Sequence, residues 1–138
     1  MCIRDSYTGV AFVCVDGKVE QLCNLKNGVS EGVQRGWYEN GQLDYEANFK
    51  DGKEDGIHRR RYDNGQLEIE ENYKDGKRDG IRRSWHENGQ LEIEENFKDG
   101  KDDGVCRSWH ENGQLEYEIY WKDGNFVRCE GCDEPVPF

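Results

Sequence analysis

The sequence predicts an all-β protein, a single-layer antiparallel β-meander built from five 24-residue β-hairpin repeats. Three observations carry the prediction. The block that opens Trp85-His86-Glu87-Asn88-Gly89-Gln90-Leu91 begins again at Trp109, 24 residues on. Within a block the apolar residues recur with a period of two, not 3.6. Each block also carries Asn-Gly and Asp-Gly pairs where the chain has to reverse.

The elements follow in order. Residues 1–6, Met1-Cys2-Ile3-Arg4-Asp5-Ser6, read as a translated sequencing adapter and are set apart from the fold. The array is expected over 7–132. The apolar run Val10–Val15 reads as a strand, with no basic leader before it. Residues 13–36 are a worn first repeat and a candidate cap, aligned on Asp16-Gly17, Val19, Asn24-Leu25-Lys26-Asn27-Gly28 and Glu31-Gly32-Val33. Residues 37–60, 61–84 and 85–108 are near copies. The unit 109–132 keeps His110–Leu115 and Lys122-Asp123-Gly124, then diverges at Asn125-Phe126-Val127-Arg128. The tail 133–138, with Pro135 and Pro137, should be irregular.

The hairpin register can be argued from the faces. A two-residue loop at Asn88-Gly89 would pair Trp85 with Glu92 and throw the apolar residues of the two strands to opposite sides. A three-residue loop, Glu87-Asn88-Gly89 with a left-handed Gly89, pairs Trp85 with Leu91, Arg83 with Ile93 and Arg82 with Glu94. It is preferred because it keeps one face apolar. Past Lys98 two glycines let the chain turn back, and Phe97 and Val105 are expected on one face. The whole should be about ten strands. One face should carry Trp, Leu, Ile and Phe among Arg and Glu, and the other His, Ser, Gln, Glu and Arg.

Composition sets the outer limits. The chain has 138 residues, 36% charged and 33% hydrophobic, with a formal net charge of −11. Aliphatics this sparse approach the disordered range, but aromatics reach 12% and are placed periodically, which argues for a folded, elongated sheet. The acidity makes nucleic acid an improbable partner and does not favour anionic membrane. It leaves basic or mixed-charge proteins as partners.

Trp-[Tyr/His]-Glu-Asn-Gly-Gln-Leu followed by [Phe/Tyr/Trp]-Lys-Asp-Gly-Lys-x-Asp-Gly resembles the MORN repeat. The variant is the one found in bacterial proteins named as YwqK-family antitoxins of toxin–antitoxin systems. The resemblance covers 37–124 well and 13–36 loosely. It implies an antiparallel meander and a protein-interaction role, and membrane contact is attributed to some members.

Candidate chemistry is sparse. His86 and His110 occupy equivalent positions about 10 Å apart, too far to share a metal, and His58 falls elsewhere in the repeat, so solvated sheet positions are expected. No nucleophile has a base fixed to it by the repeat. The Asp-Gly-Lys-x-Asp-Gly loops match a calcium loop at Asp99, Asp103 and Gly104, but Lys101 and His110 stand at ligand positions, which argues for plain turns. Cys129-Glu130-Gly131-Cys132 is half of a zinc-ribbon spacing, completed only by Cys106 or a partner chain. The five cysteines Cys14, Cys23, Cys106, Cys129 and Cys132 are expected as free thiols. A disulfide in an exported protein, including a cross-hairpin pair Cys14–Cys23, is the alternative.

The expected function is a non-catalytic protein-interaction scaffold, in its narrower form antitoxin-like. The alternative is a structural stalk of a longer exported or surface protein. No catalytic residue, cofactor or metal is assigned. The candidate binding face is Trp37, Phe49, Tyr73, Trp85, Phe97, Trp109 and Trp121, aromatic anchors on a rigid platform. Self-association through a sheet edge or the apolar face is a further expectation. The cytoplasm is favoured over export, which stays open because the true start of the chain is not visible.

Overall fold

A computed structural model describes residues 8–133. The expectations for residues 1–6 and for 134–138 of the tail lie outside the described residues. Every element among the described residues is a strand. The N-terminal part holds β1 (Gly9–Val15), β2 (Lys18–Lys26), β3 (Val29–Ser30) and β4 (Gly32–Trp37). A trio then repeats. It runs β5 (Leu43–Lys50), β6 (Lys53–Glu54) and β7 (Gly56–Arg61), then β8 (Leu67–Lys74), β9 (Lys77–Arg78) and β10 (Gly80–Trp85). The third round is β11 (Leu91–Lys98), β12 (Lys101–Asp102) and β13 (Gly104–Trp109), and β14 (Leu115–Lys122) and β15 (Asn125–Glu130) close the chain.

All fifteen lie antiparallel in one open sheet, ordered β1-β2-β4-β5-β7-β8-β10-β11-β13-β14-β15. The two-residue strands β3, β6, β9 and β12 each pair back onto the strand before them. The continuous path therefore has eleven strands rather than about ten, because β1 adds one beyond two per unit.

Local chemistry explains the turns. Gly89 sits at φ 87°, as the three-residue loop requires. The Gln90 N–H donates to Asn88 Oδ1 at 2.9 Å, so the asparagine side chain completes the reversal. On the other side of the sheet Asp99 and Gly100 both take positive φ, 50° and 80°, and Lys98 stands opposite Lys101. That is the double left-handed geometry for which Asp-Gly pairs are suited.

The expected register is corrected in one step. Trp85 does pair with Leu91, but a bulge between Ser84 and Trp85 leaves Glu92 without a partner and shifts everything beyond it by one residue. Ser84 then meets Ile93, Arg83 meets Glu94 and Arg82 meets Glu95. The shift places arginines across from glutamates and Phe97 across from Gly80. Charge pairing outweighs a uniformly apolar face.

The same bulge recurs in each hairpin, between Gly36 and Trp37, Arg60 and Arg61, and Ser108 and Trp109. The two faces consequently differ from the expectation. Strand alternation puts Phe97, Ile93 and Glu95 with Arg82 and Ser84, while Ile81, Arg83 and Trp85 point the other way. Phe97 and Val105 are on opposite faces, since the β11–β13 register sets Ile93, on the face of Phe97, opposite Ser108, and Val105 lies an odd number of residues from Ser108.

Burial distinguishes the faces. The buried residues Leu25, Gln34, Gly36, Ala47, Ser84, Cys106 and Ser108 all belong to the Phe97 side, here called the packed face. The opposite, ladder face carries the row Arg35-Glu46-Arg59-Glu70-Arg83-Glu94-Arg107-Glu118. Its within-hairpin pairs close at 2.6, 2.8, 2.8 and 3.3 Å. No large side chain among the described residues is fully buried. The sheet is held by cross-strand pairs and backbone ladders rather than by a core.

Candidate interaction surface

The aromatic residues singled out by sequence divide between the two faces. Phe49, Tyr73, Phe97 and Trp121 stand opposite Gly32, Gly56, Gly80 and Gly104. These glycines are required by their backbone, at φ 81°, 107°, 103° and 116°, and the space a side chain would take at each is bordered by Asn24, Asn48, Asn72 and Asn96 rather than by the ring. The His58 ring lies between two members of this row, 5.9 Å from Phe49 and 4.5 Å from Tyr73 between centroids. The Arg78 guanidinium rests 5.4 Å over the Phe97 ring, within cation–π range. Trp121 meets Phe126 edge-on at 6.0 Å.

Trp37, Trp85 and Trp109 sit at the strand ends before the three-residue turns, and alternation places them on the ladder face. The single binding face expected from sequence is thus two separate rows. All seven residues are half-buried.

Behind the packed-face aromatics runs a polar row. Arg82 donates to Glu71 at 2.7 Å and to Glu95 at 2.6 Å, and Arg78 reaches Glu71 at 3.0 Å. Glu95 is followed in the next strand by buried Cys106, whose thiol is pushed up from 9.0 to about 11 by burial first, then by the charges of Glu95 and Asp102. A thiol so held carries little thiolate at neutral pH and makes a poor nucleophile. Arg82 keeps its charge beyond the usual arginine range, since its carboxylate partners outweigh the opposing effect of desolvation.

Polar side chains at the turns hold successive repeats together. The Tyr38 hydroxyl donates to the Arg61 carbonyl at 2.5 Å and the Tyr62 hydroxyl to the Trp85 carbonyl at 2.7 Å. His86 Nε2 makes the corresponding bond to the Trp109 carbonyl at 3.0 Å. His86 is therefore a staple between repeats rather than a solvated position. The signal was present in the sequence, since the position after each aromatic or Arg61 is always a ring with a polar tip: Tyr38, Tyr62, His86, His110.

The loop acids act similarly. Asp55 and Asp79 accept the backbone N–H of Asp75 and Asp99 at 3.4 and 3.3 Å, and Glu31 accepts that of Asp51 at 2.7 Å. These carboxylates are spent on neighbouring turns.

Cys129 and Cys132 are joined in a disulfide, so they are not a zinc half-site and not free thiols. Cys14 and Cys106 are free thiols. The cross-hairpin alternative fails on register, because Cys14 pairs with Val19 and Cys23 with Ala11. Among the described residues no group of three or more His, Cys, Asp or Glu is placed to hold a metal ion.

Against known families, four successive windows, residues 30–51, 54–75, 78–99 and 102–123, match the MORN repeat variant. The chain belongs to this family. Comparison with curated proteins gave no match. The MORN windows keep the period of 24 and start seven residues ahead of the tryptophan-led units and of Arg61, on the two-residue strands β3, β6, β9 and β12. Most of the worn unit and the divergent end beyond Asp123 lie outside them. MORN repeats are interaction repeats, so the family supports a surface that binds rather than a site that reacts.

Proposed function

We propose that the chain is a non-catalytic scaffold that binds a partner protein across the packed face, through the row Phe49, Tyr73, Phe97 and Trp121. One observation carries the reading. Four half-buried rings repeat every second hairpin strand, about 10 Å apart, on one face of a sheet that no helix covers among the described residues. Large rings on a rigid platform are the residue type that carries interface energy. Trp37, Trp85 and Trp109 would serve the opposite face, packing beside the Arg–Glu ladder. The antitoxin relation implied by the resemblance is one form of this reading, in which the partner is a toxin encoded beside the chain.

The test is affinity capture by the whole chain from a bacterial lysate, beside two double variants checked for β-structure by circular dichroism. Phe97→Ser with Trp121→Ser should abolish capture of a stoichiometric partner, and Trp85→Ser with Trp109→Ser should retain it. Capture unchanged by the first pair overturns the assignment of the face. No specific capture by the folded chain favours the structural stalk.

A further inference from the structure

We infer that a cleft at the N-terminal end of the sheet is a docking site for a basic side chain, lysine or arginine, on a segment of a partner protein. The inference rests on the interaction reading above and names the chemistry of the partner at one point. The cleft encloses about 540 Å³ between the β1–β2 turn and the β4–β5 turn. Its walls include Val15, Val19 and Trp37, and its rim carries the carboxylates of Asp16, Glu20 and Glu39.

The cleft exists because the first inter-repeat staple is missing. In later units the ring after the first position bonds the next unit's backbone, as Tyr38, Tyr62 and His86 do. The turn asparagines add a second bond, from Asn40 to the Asp63 carbonyl and from Asn88 to the Glu111 carbonyl, both at 2.9 Å. In the worn unit the corresponding residues are Cys14 and Asp16. Cysteine is too short for the first bond, and an ionised carboxylate cannot donate the second. The turn is also a residue shorter, with Val15 opposite Lys18 across Asp16-Gly17. Among the described residues the two turns are joined by one long hydrogen bond, from Lys18 Nζ to the Glu39 carbonyl at 3.3 Å.

The lining selects the ligand. Val15 and Val19 are 45% and 44% exposed, apolar surface that an aliphatic stem would cover. The indole of Trp37 is the ring best suited to a cation. Three carboxylates against one lysine leave the rim negative, and none of the three takes part in an ion pair among the described residues. A lysine or arginine side chain has both the apolar stem and the charged head this demands. The chain's net charge of −11 adds attraction at longer range.

The test uses the full chain and a short fluorescently labelled lysine-bearing peptide, read by anisotropy, with a peptide of equal length carrying glutamine at those positions. The lysine peptide should bind and the glutamine peptide should not. Glu20→Gln with Glu39→Gln should weaken binding about tenfold or more, whereas Glu87→Gln with Glu111→Gln, an equal charge change on exposed turns of later units, should leave it unaltered. Equal weakening by both pairs would reveal attraction to net charge alone and overturn the site, as would no binding of the lysine peptide. A captured partner that binds the Glu20/Glu39 variant as well as the parent chain would also overturn this inference, while leaving the scaffold reading intact.

Discussion

Cys106 shows how a single residue reports on this sheet. It is among the few buried side chains, and it lies beside the Glu71–Arg82–Glu95 network rather than in an apolar core. Its folded pKa of about 11 exceeds the ordinary thiol value of 9.0. The folded state therefore holds the proton more tightly, and the resulting contribution to stability is complete below pH 9.0 and is lost as pH rises towards about 11. Comparing urea unfolding of the parent chain with Cys106→Ala across that window should show a steeper decline in the parent. Parallel curves would refute the burial of the thiol. The sequence revealed the cysteine but not its neighbours, because nothing local says that position 106 faces position 95. Gly89, by contrast, was legible from its own residues, since Asn-Gly between alternating strands demands a left-handed glycine and the structure places it at φ 87°.

At the scale of the hairpin, the decisive feature is the bulge before each three-residue turn. It sets Arg82 against Glu95 at 2.6 Å and Arg83 against Glu94 at 2.8 Å, on opposite faces. A double-mutant cycle with Arg82→Gln and Glu95→Gln should give a coupling of about 0.5–3 kcal/mol in urea denaturation, since both side chains are largely shielded. The cycle with Arg82→Gln and Glu94→Gln should give a coupling within about 0.5 kcal/mol of zero. The reverse outcome would restore the unbulged register. Hairpins, turns and strand alternation could be read directly from the sequence, because they are local. The bulge could not, since both registers satisfy the same loop, and the choice is made by glutamates several residues away.

At the scale of the molecule, each strand on the continuous path pairs with its neighbours there and, for β2, β5, β8 and β11, with the short strand that follows it, so the array behaves as a one-dimensional stack. Deleting residues 61–84 removes one full period and joins Arg60 to Trp85 in an unbroken pattern. The shortened chain should keep its β-type circular dichroism and unfold at lower denaturant concentration, and loss of β-structure would refute the stacking account. By itself the sequence determined the fold class, the period of 24, the turn positions and the acidic surface, because each follows from residue types at fixed short spacings. Only the tertiary structure decided which residues share a face, that Tyr38, Tyr62 and His86 bind successive repeats, that Cys129 joins Cys132, and that the worn unit leaves a cleft. Those outcomes depend on cross-strand register and on contacts about one repeat apart, and a one-residue bulge reverses them without altering the repeat that the sequence displays.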